Sequence, residues 1–334
     1  MRFPTLLAAF LAVLLILPGS ASADRYRLSL STWGSPQHPQ VREFVPRFVD
    51  LVEEKSEGRI RFRVFEGGEM VNQQNVNTAV PQGTIDISLT TLDNWSGRIS
   101  DVSVLTSPLW TWPLERARDE LVPGQPVLDY FDAQLREIDT IMIAMFDIGP
   151  PVISSRREIR TPEDIRGRTV RVYSRGAGLM MQELGAAPTT IGVGEVYSAL
   201  QRGTVDAALG GLGGAVGLKH FEVTDHMFVP MGALGTLVHA YVMNLETFES
   251  LPPDLQEAVM EAAAEARAHM QQYVIDSYDD MLQVVTDSGT EVYRLEPGEE
   301  TWSLWRDRLS DMTARARNEF PADLVEMVAG QSAD

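Results

Sequence analysis

The sequence predicts an α/β protein of two domains, with strands that cross between them and one long helix. Three observations predict it. Short apolar strand patterns alternate with amphipathic helical patterns along most of the chain. Two breaks, at Gly149-Pro150-Pro151 and before the apolar run Leu237–Asn244, interrupt that alternation where the chain can pass from one domain to the other. From Pro252 to about Val285 the sequence stays helix-compatible, far beyond the length of an average helix.

In chain order, Tyr26–Thr32 and Ile60–Phe65 are predicted strands, with a helix over Val41–Ser56 between them. Pro46 is expected to kink that helix. Ile85–Thr90 is a third strand, and Glu115–Ile138 is largely helical around a break at Pro123-Gly124. Ile141–Phe146 is a continuous apolar run, the pattern of a strand covered on both faces. Thr161-Pro162-Glu163-Asp164 opens a short helix with proline at its first position and acids in its first turn, and Gly167 closes it. Thr169–Tyr173 is the next strand. A helix marked by Leu179, Met180 and Leu184 ends at Gly185, and Glu195–Gln201 forms a further helix stopped by Gly203 before the strand Val205–Leu209. After the long helix, Val292–Leu295 is a last strand and Thr301–Phe320 a last helix.

Arg2, the apolar run Leu6–Leu17 and the small residues Ala21-Ser22-Ala23 together form a secretory signal. Its apolar core falls short of a bilayer span of about 20 residues. Cleavage is expected after Ala23, and no cysteine is present to form a disulfide or carry a lipid. The expected location is therefore a periplasm, without a lipid anchor. A formal charge of −19 repels phosphate backbones and argues against nucleic-acid binding.

Enzyme signatures are thin. There is no Gly-x-Ser-x-Gly elbow, phosphate loop or His-Glu-x-x-His, and no cofactor is expected. The glycines Gly210, Gly211, Gly213, Gly214 and Gly217 miss dinucleotide-binding spacing. His38, His220, His226, His239 and His269 are scattered without metal-ligand spacing, and each is expected to be a surface or satisfied core residue.

The stretch Arg160–Leu209, with Thr161-Pro162-Glu163-Asp164, the strand around Arg171, Glu195-Val196-Tyr197-Ser198-Ala199-Leu200 and Thr204-Val205-Asp206, resembles the DctP-like solute-binding subunits of tripartite ATP-independent periplasmic (TRAP) transporters. The resemblance extends over nearly the whole mature chain. It implies a bilobal periplasmic-binding-protein fold: lobe I over 24–148 and 237–276, lobe II over 149–236 and 277–334, with the long helix spanning both. It implies a monomeric receptor that closes on one small polar solute and delivers it to small and large membrane subunits of a cation-driven symporter. A periplasmic enzyme or a sensory receptor on the same scaffold is the alternative, and no acid–base pair favouring the enzyme is found.

Arg171 matches the arginine that pairs with a substrate carboxylate in this family, and its planar fork suits bidentate pairing. Three departures from the family pattern lie nearby. Leu209-Gly210-Gly211 replaces a segment containing a ligand-binding asparagine, Val193-Gly194 replaces an aromatic residue, and Tyr173 replaces a proline. On the opposite wall, Asp93 with Trp33, Trp95 and Tyr173 could cage a small ammonium group through charge pairing and cation–π contact. Packing and turn roles compete for the same residues. Gln73 and Gln74, at the start of a cleft helix, and Glu195 are further candidates, although capping is the commoner duty of such residues. The expected ligand is a carboxylate, with an amine or zwitterion as the alternative that Asp93 and the tryptophans suggest.

Overall fold

A computed structural model describes residues 24–329, so the signal segment and its cleavage point lie outside the described residues. Among the described residues, eleven strands form two sheets. The strands are β1 (Tyr26–Ser31), β2 (Ile60–Phe65), β3 (Ile87–Thr91), β4 (Thr140–Asp147), β5 (Pro151–Ser155), β6 (Thr169–Val172), β7 (Ala187–Thr190), β8 (Ala207–Gly211), β9 (His226–Pro230), β10 (Val238–Asn244) and β11 (Glu291–Leu295). The first sheet runs β2-β1-β3-β10-β4 and the second β11-β9-β5-β8-β6-β7. In each sheet one strand runs against both of its neighbours: β10 in the first, β5 in the second. Each of these is the strand that follows a crossing. The α/β bilobal class expected from the sequence is the one observed.

The two crossings, β4 to β5 and β9 to β10, are bonded to each other. Ile148 N–H donates to the Leu237 carbonyl at 2.9 Å, and Leu237 N–H donates to the Gly149 carbonyl at 3.1 Å. Beside them, the buried Asp147 carboxylate accepts from Thr236 Oγ1 at 2.5 Å and from Gly149 N–H at 2.7 Å. The backbone of Asp147 is held by the Gln271 side chain, 2.9 Å from its N–H and 3.0 Å from its carbonyl. Gln271 belongs to the helix Pro253–Asp287, whose 35 residues extend about 50 Å at 1.5 Å per residue. Its alanine-rich first half packs on β4 and on the helix Val45–Lys55, and it also contacts the helix Leu212–Gly217 and β11 of the second sheet. Buried Ala258, Ala262, Ala263 and Ala266 let the backbones approach closely.

The structure departs from the sequence-based expectation in four places. Pro46 causes no kink, because the helix begins at Val45 and places Pro46 in the first turn, where no intrahelical N–H is needed. Strands β5, β7 and β9 were not anticipated; they are short, and prolines at Pro151, Pro188 and Pro230 mask their pattern. Pro188 is tolerated because β7 lies at the sheet edge. The segment expected as one helix over Thr301–Phe320 is two, Glu300–Arg308 and Ser310–Glu319. Beyond residue 277 the chain is shared between the lobes: β11 joins the second sheet, whereas Ala322–Ala329 buries Leu324, Val325 and Val328 and packs on the helix Pro126–Arg136 beside the first.

Candidate ligand-binding site

Parallel strands deliver their following loops to one end of a sheet, and here both sheets deliver them to the same gap. From the first come Trp33 and His38 after β1, and His239 at the start of β10. From the second come Arg171 on β6, Tyr173 just after it, Gly210 on β8, and His220 beyond the helix Leu212–Gly217. They line a narrow cavity of about 50 Å³.

Arg171 is the one formally charged residue on the wall. It is 4% exposed. Its Nε donates to the Ile191 carbonyl at 3.0 Å and its Nη1 to the Leu209 carbonyl at 3.1 Å. Nη2 has no hydrogen-bond partner, and no carboxylate pairs with the guanidinium, among the described residues. Burial pulls its pKa from 12.5 down to about 10, which leaves it charged at neutral pH. Arg267 shows what a structural buried arginine looks like in the same molecule. Its Nε, Nη1 and Nη2 all donate to carbonyls, of Met145, Arg118 and Ala117 at 2.7–3.0 Å.

Around Arg171 stand three imidazoles that sequence spacing did not connect. His38, His220 and His239 are all buried. Burial lowers His38 to about 4 and His220 and His239 to about 3, and the nearby Arg171 charge adds to the effect at His38 and His220. All three are neutral at pH 7. Trp33 meets the rings of His38 and His239 edge-on, with centroids 5.6 and 5.4 Å away. The wall residues hold buried polar atoms without partners: Trp33 Nε1, His38 Nε2, Gln73 Oε1, His220 Nε2 and His239 Nδ1. Such atoms are costly to leave unpaired and mark a surface shaped for a polar guest. Among the described residues no group of three potential ligands is placed to hold a metal ion.

The sequence candidates are therefore divided. Arg171, Tyr173, Trp33 and Gly210 come together on the cavity wall. Asp93 and Trp95 do not. Trp95 is fully buried in the core of the first lobe, its Nε1 donating to Thr90 Oγ1 at 2.9 Å. Asp93 is turned toward the N-terminus of the helix Arg175–Glu183, so the four-residue ammonium cage is not assembled. Gln73 rather than Gln74 reaches the wall; its Nε2 donates to Thr91 Oγ1 at 2.8 Å. Glu195 is exposed. Of the remaining histidines, His226 and His269 stand beside Glu291 and Glu43. The glycine-rich segment serves the contact between lobes: a Cβ on Gly217 would lie 2.1 Å from the Gln37 carbonyl oxygen.

Two α/β lobes around a narrow gap, with one formally charged residue on its wall, define a solute-binding receptor. The sequence profile of the DctP family, bacterial extracellular solute-binding protein family 7, matches residues 30–317, and the chain belongs to that family. It is 25% identical over 248 residues, 74% of each chain, to the 2,3-diketo-L-gulonate-binding periplasmic protein of Escherichia coli K12. It is 28% identical over 254 residues, 73% of each chain, to a solute-binding protein of Sulfitobacter sp. NAS-14.1. Among solved structures, a TRAP periplasmic solute-binding protein from Sulfitobacter sp. NAS-14.1 with bound β-D-galacturonate superposes with a TM-score of 0.82. That pair is 19% identical and covers 91% of this chain and 99% of the other. A Bordetella pertussis extracytoplasmic solute receptor binding pyroglutamic acid gives a TM-score of 0.82 at 17% identity, covering 90% and 97%. The chain is thus a member of a family of bacterial extracellular solute-binding proteins. No helix among the described residues is long and apolar enough to cross a membrane.

Proposed function

We propose that this receptor captures a small organic acid with one carboxylate, flanked by hydroxyl or oxo groups, and passes it to the membrane subunits of a TRAP transporter. The observation that carries the reading is Arg171: an enclosed guanidinium with a free donor edge and no acidic partner on the wall. A carboxylate supplies the missing charge and accepts from that edge. One positive charge matches one negative charge, so a second carboxylate would be desolvated without a partner. The orphaned polar atoms of Trp33, His38, Gln73 and His220 suit groups that donate or accept hydrogen bonds without charge. An ammonium group finds no acid on this wall, which weighs against an amine. Lobe I over 24–148 and 237–276 carries the Trp33 side of the site, and lobe II carries Arg171. The leading segment, with cleavage after Ala23, would bring the monomeric receptor to the periplasm.

Thermal unfolding of the mature protein against hydroxy and oxo monocarboxylates, dicarboxylates, the corresponding amides and small amines tests the proposal. A true ligand at 100 times its Kd adds about 2.7 kcal/mol of stability. Monocarboxylates should stabilise and their amides should not. Equal stabilisation by amides, or stabilisation by amines alone, would overturn the assignment.

A further inference from the structure

The cavity between the lobes is narrow, about 50 Å³. Arg171 and the three histidines around it are buried as well. Residues of both lobes line the cavity, and contacts between the lobes away from that wall act whatever the wall holds.

The strongest contact of that kind lies away from the cavity wall, at Asp93. This residue sits in the 3₁₀ turn Leu92–Trp95 that follows β3 in lobe I, and it is 1% exposed. Thr106, from the same lobe, donates its hydroxyl to Oδ1 at 3.1 Å. The other oxygen, Oδ2, accepts the Gly176 N–H at 3.0 Å. Gly176 lies in the first turn of the helix Arg175–Glu183 of lobe II, where backbone N–H groups are unpaired and the helix dipole is positive. That helix already has its own cap, since Ser174 Oγ accepts from Ala177 N–H at 3.2 Å. Asp93 is thus a second cap supplied by the opposite lobe. The fit is close: a Cβ on Gly176 would lie 2.3 Å from Thr106 Oγ1 and 2.8 and 2.9 Å from the two Asp93 oxygens. Only glycine leaves room for the carboxylate. With the lobes apart, water can serve both Asp93 and the Gly176 N–H, so neither lobe needs the contact in order to fold.

We propose that Asp93 and Gly176 form a closure latch, in which a lobe I carboxylate docks on a lobe II helix end and holds the receptor shut before any solute is bound. Asp93 is a positioning residue: it sets the population of the closed form without touching the solute. The proposal rests on the two-lobed receptor reading and not on the identity of the solute.

The test is made on the mature protein without solute, so its failure is separate from a failure of the carboxylate assignment. The chain contains no cysteine, so single cysteines at the exposed positions Ser100 and Gln182, one in each lobe, take spin labels without background. Pulsed dipolar distances should show a short, closed population in the wild type. Asp93→Ala should lower the closed-to-open ratio about 10-fold or more, as expected for losing a charge-assisted hydrogen bond. Gly176→Ala should do the same by steric exclusion. Alanine is the better helix former, which offsets part of the lost contact, so that variant should still fold. Asp93→Asn keeps an acceptor and should retain an intermediate closed fraction. A wild type that is open throughout, or a Gly176→Ala protein with the wild-type distance distribution, would refute the latch. Should Asp93→Ala not fold, the Gly176→Ala result decides.

Discussion

Replacing Arg171 by methionine separates the cost of burying its charge from the use made of it. Burial lowers this guanidinium from 12.5 to about 10, so keeping it charged in the empty protein costs on the order of 3 kcal/mol. Methionine removes that cost. It also strands the carbonyls of Ile191 and Leu209, at about 1–3 kcal/mol each. The two effects oppose each other, and the stability of the empty protein should change by no more than about 3 kcal/mol. Binding has no such compensation. The solute carboxylate would be enclosed without a counter-charge, a loss of about 2–5 kcal/mol, or on the order of 30- to 5000-fold in Kd. Titration calorimetry with the best acid from the solute panel, beside urea unfolding of both empty proteins, reads the two quantities separately. A folded Arg171→Met protein that binds the acid within about threefold of wild type, under 1 kcal/mol, would refute the carboxylate assignment. A variant that fails to fold would instead give Arg171 the structural role that Arg267 plays.

Two further predictions concern stability. Gly149, at the first crossing, has φ of +91°, and an added Cβ would lie 2.9 Å from Tyr278 Cε2. Gly149→Ala should therefore cost about 2–4 kcal/mol in urea unfolding, from backbone strain plus overpacking, and a neutral result would show that the crossing relaxes freely. The empty protein should also lose stability as pH falls from 6.5 toward 5. His38, His220 and His239 are depressed to about 4, 3 and 3, so the unfolded chain takes up three protons that the folded form refuses. Asp147, raised to about 6 by burial, and Asp93, also raised by burial, work in the opposite direction because the folded form holds their protons first. The net of about one to two protons gives a slope of about 1–3 kcal/mol per pH unit between pH 6 and 5. His220→Gln should remove about one proton from that slope, and a flat profile in the wild type would show that these imidazoles reach water.

How much was legible in the sequence depended on the range of the interaction. The alternation of strands and helices, the two crossings and the long alanine-rich helix were readable because each is carried by a local pattern. Arg171 was readable because a family motif surrounds it. The three histidines were not: they fall at 38, 220 and 239, and only the return of β10 into the first sheet beside β3 brings His239 near Trp33. Asp93 was noticed for the right chemistry and given the wrong partner. An acid after a strand in a ligand crevice and an acid that caps a helix in the opposite lobe have the same local sequence, and only the fold of the second lobe tells them apart. Gln74 and Gln73 differ by one position, within the error of placing a short helix by pattern.

The two misread groups belong to one arrangement. A receptor of this kind must keep a charged group dry enough to bind strongly yet let the solute in, and these demands conflict if the ligand alone holds the lobes together. Here the burden is divided. Arg171 and the neutral histidines form a wall with unsatisfied polar atoms, which by itself favours opening to water. Asp93 on the helix end, and the close contact of Gly217 with Gln37, favour closing at places the solute does not touch. The solute then has only to satisfy the wall, so its binding energy is spent less on closure and more on discriminating among acids. Weakening the latch should therefore lower affinity for every acid by the same factor and leave their ranking unchanged, whereas changes at Arg171 or the histidines should reorder it.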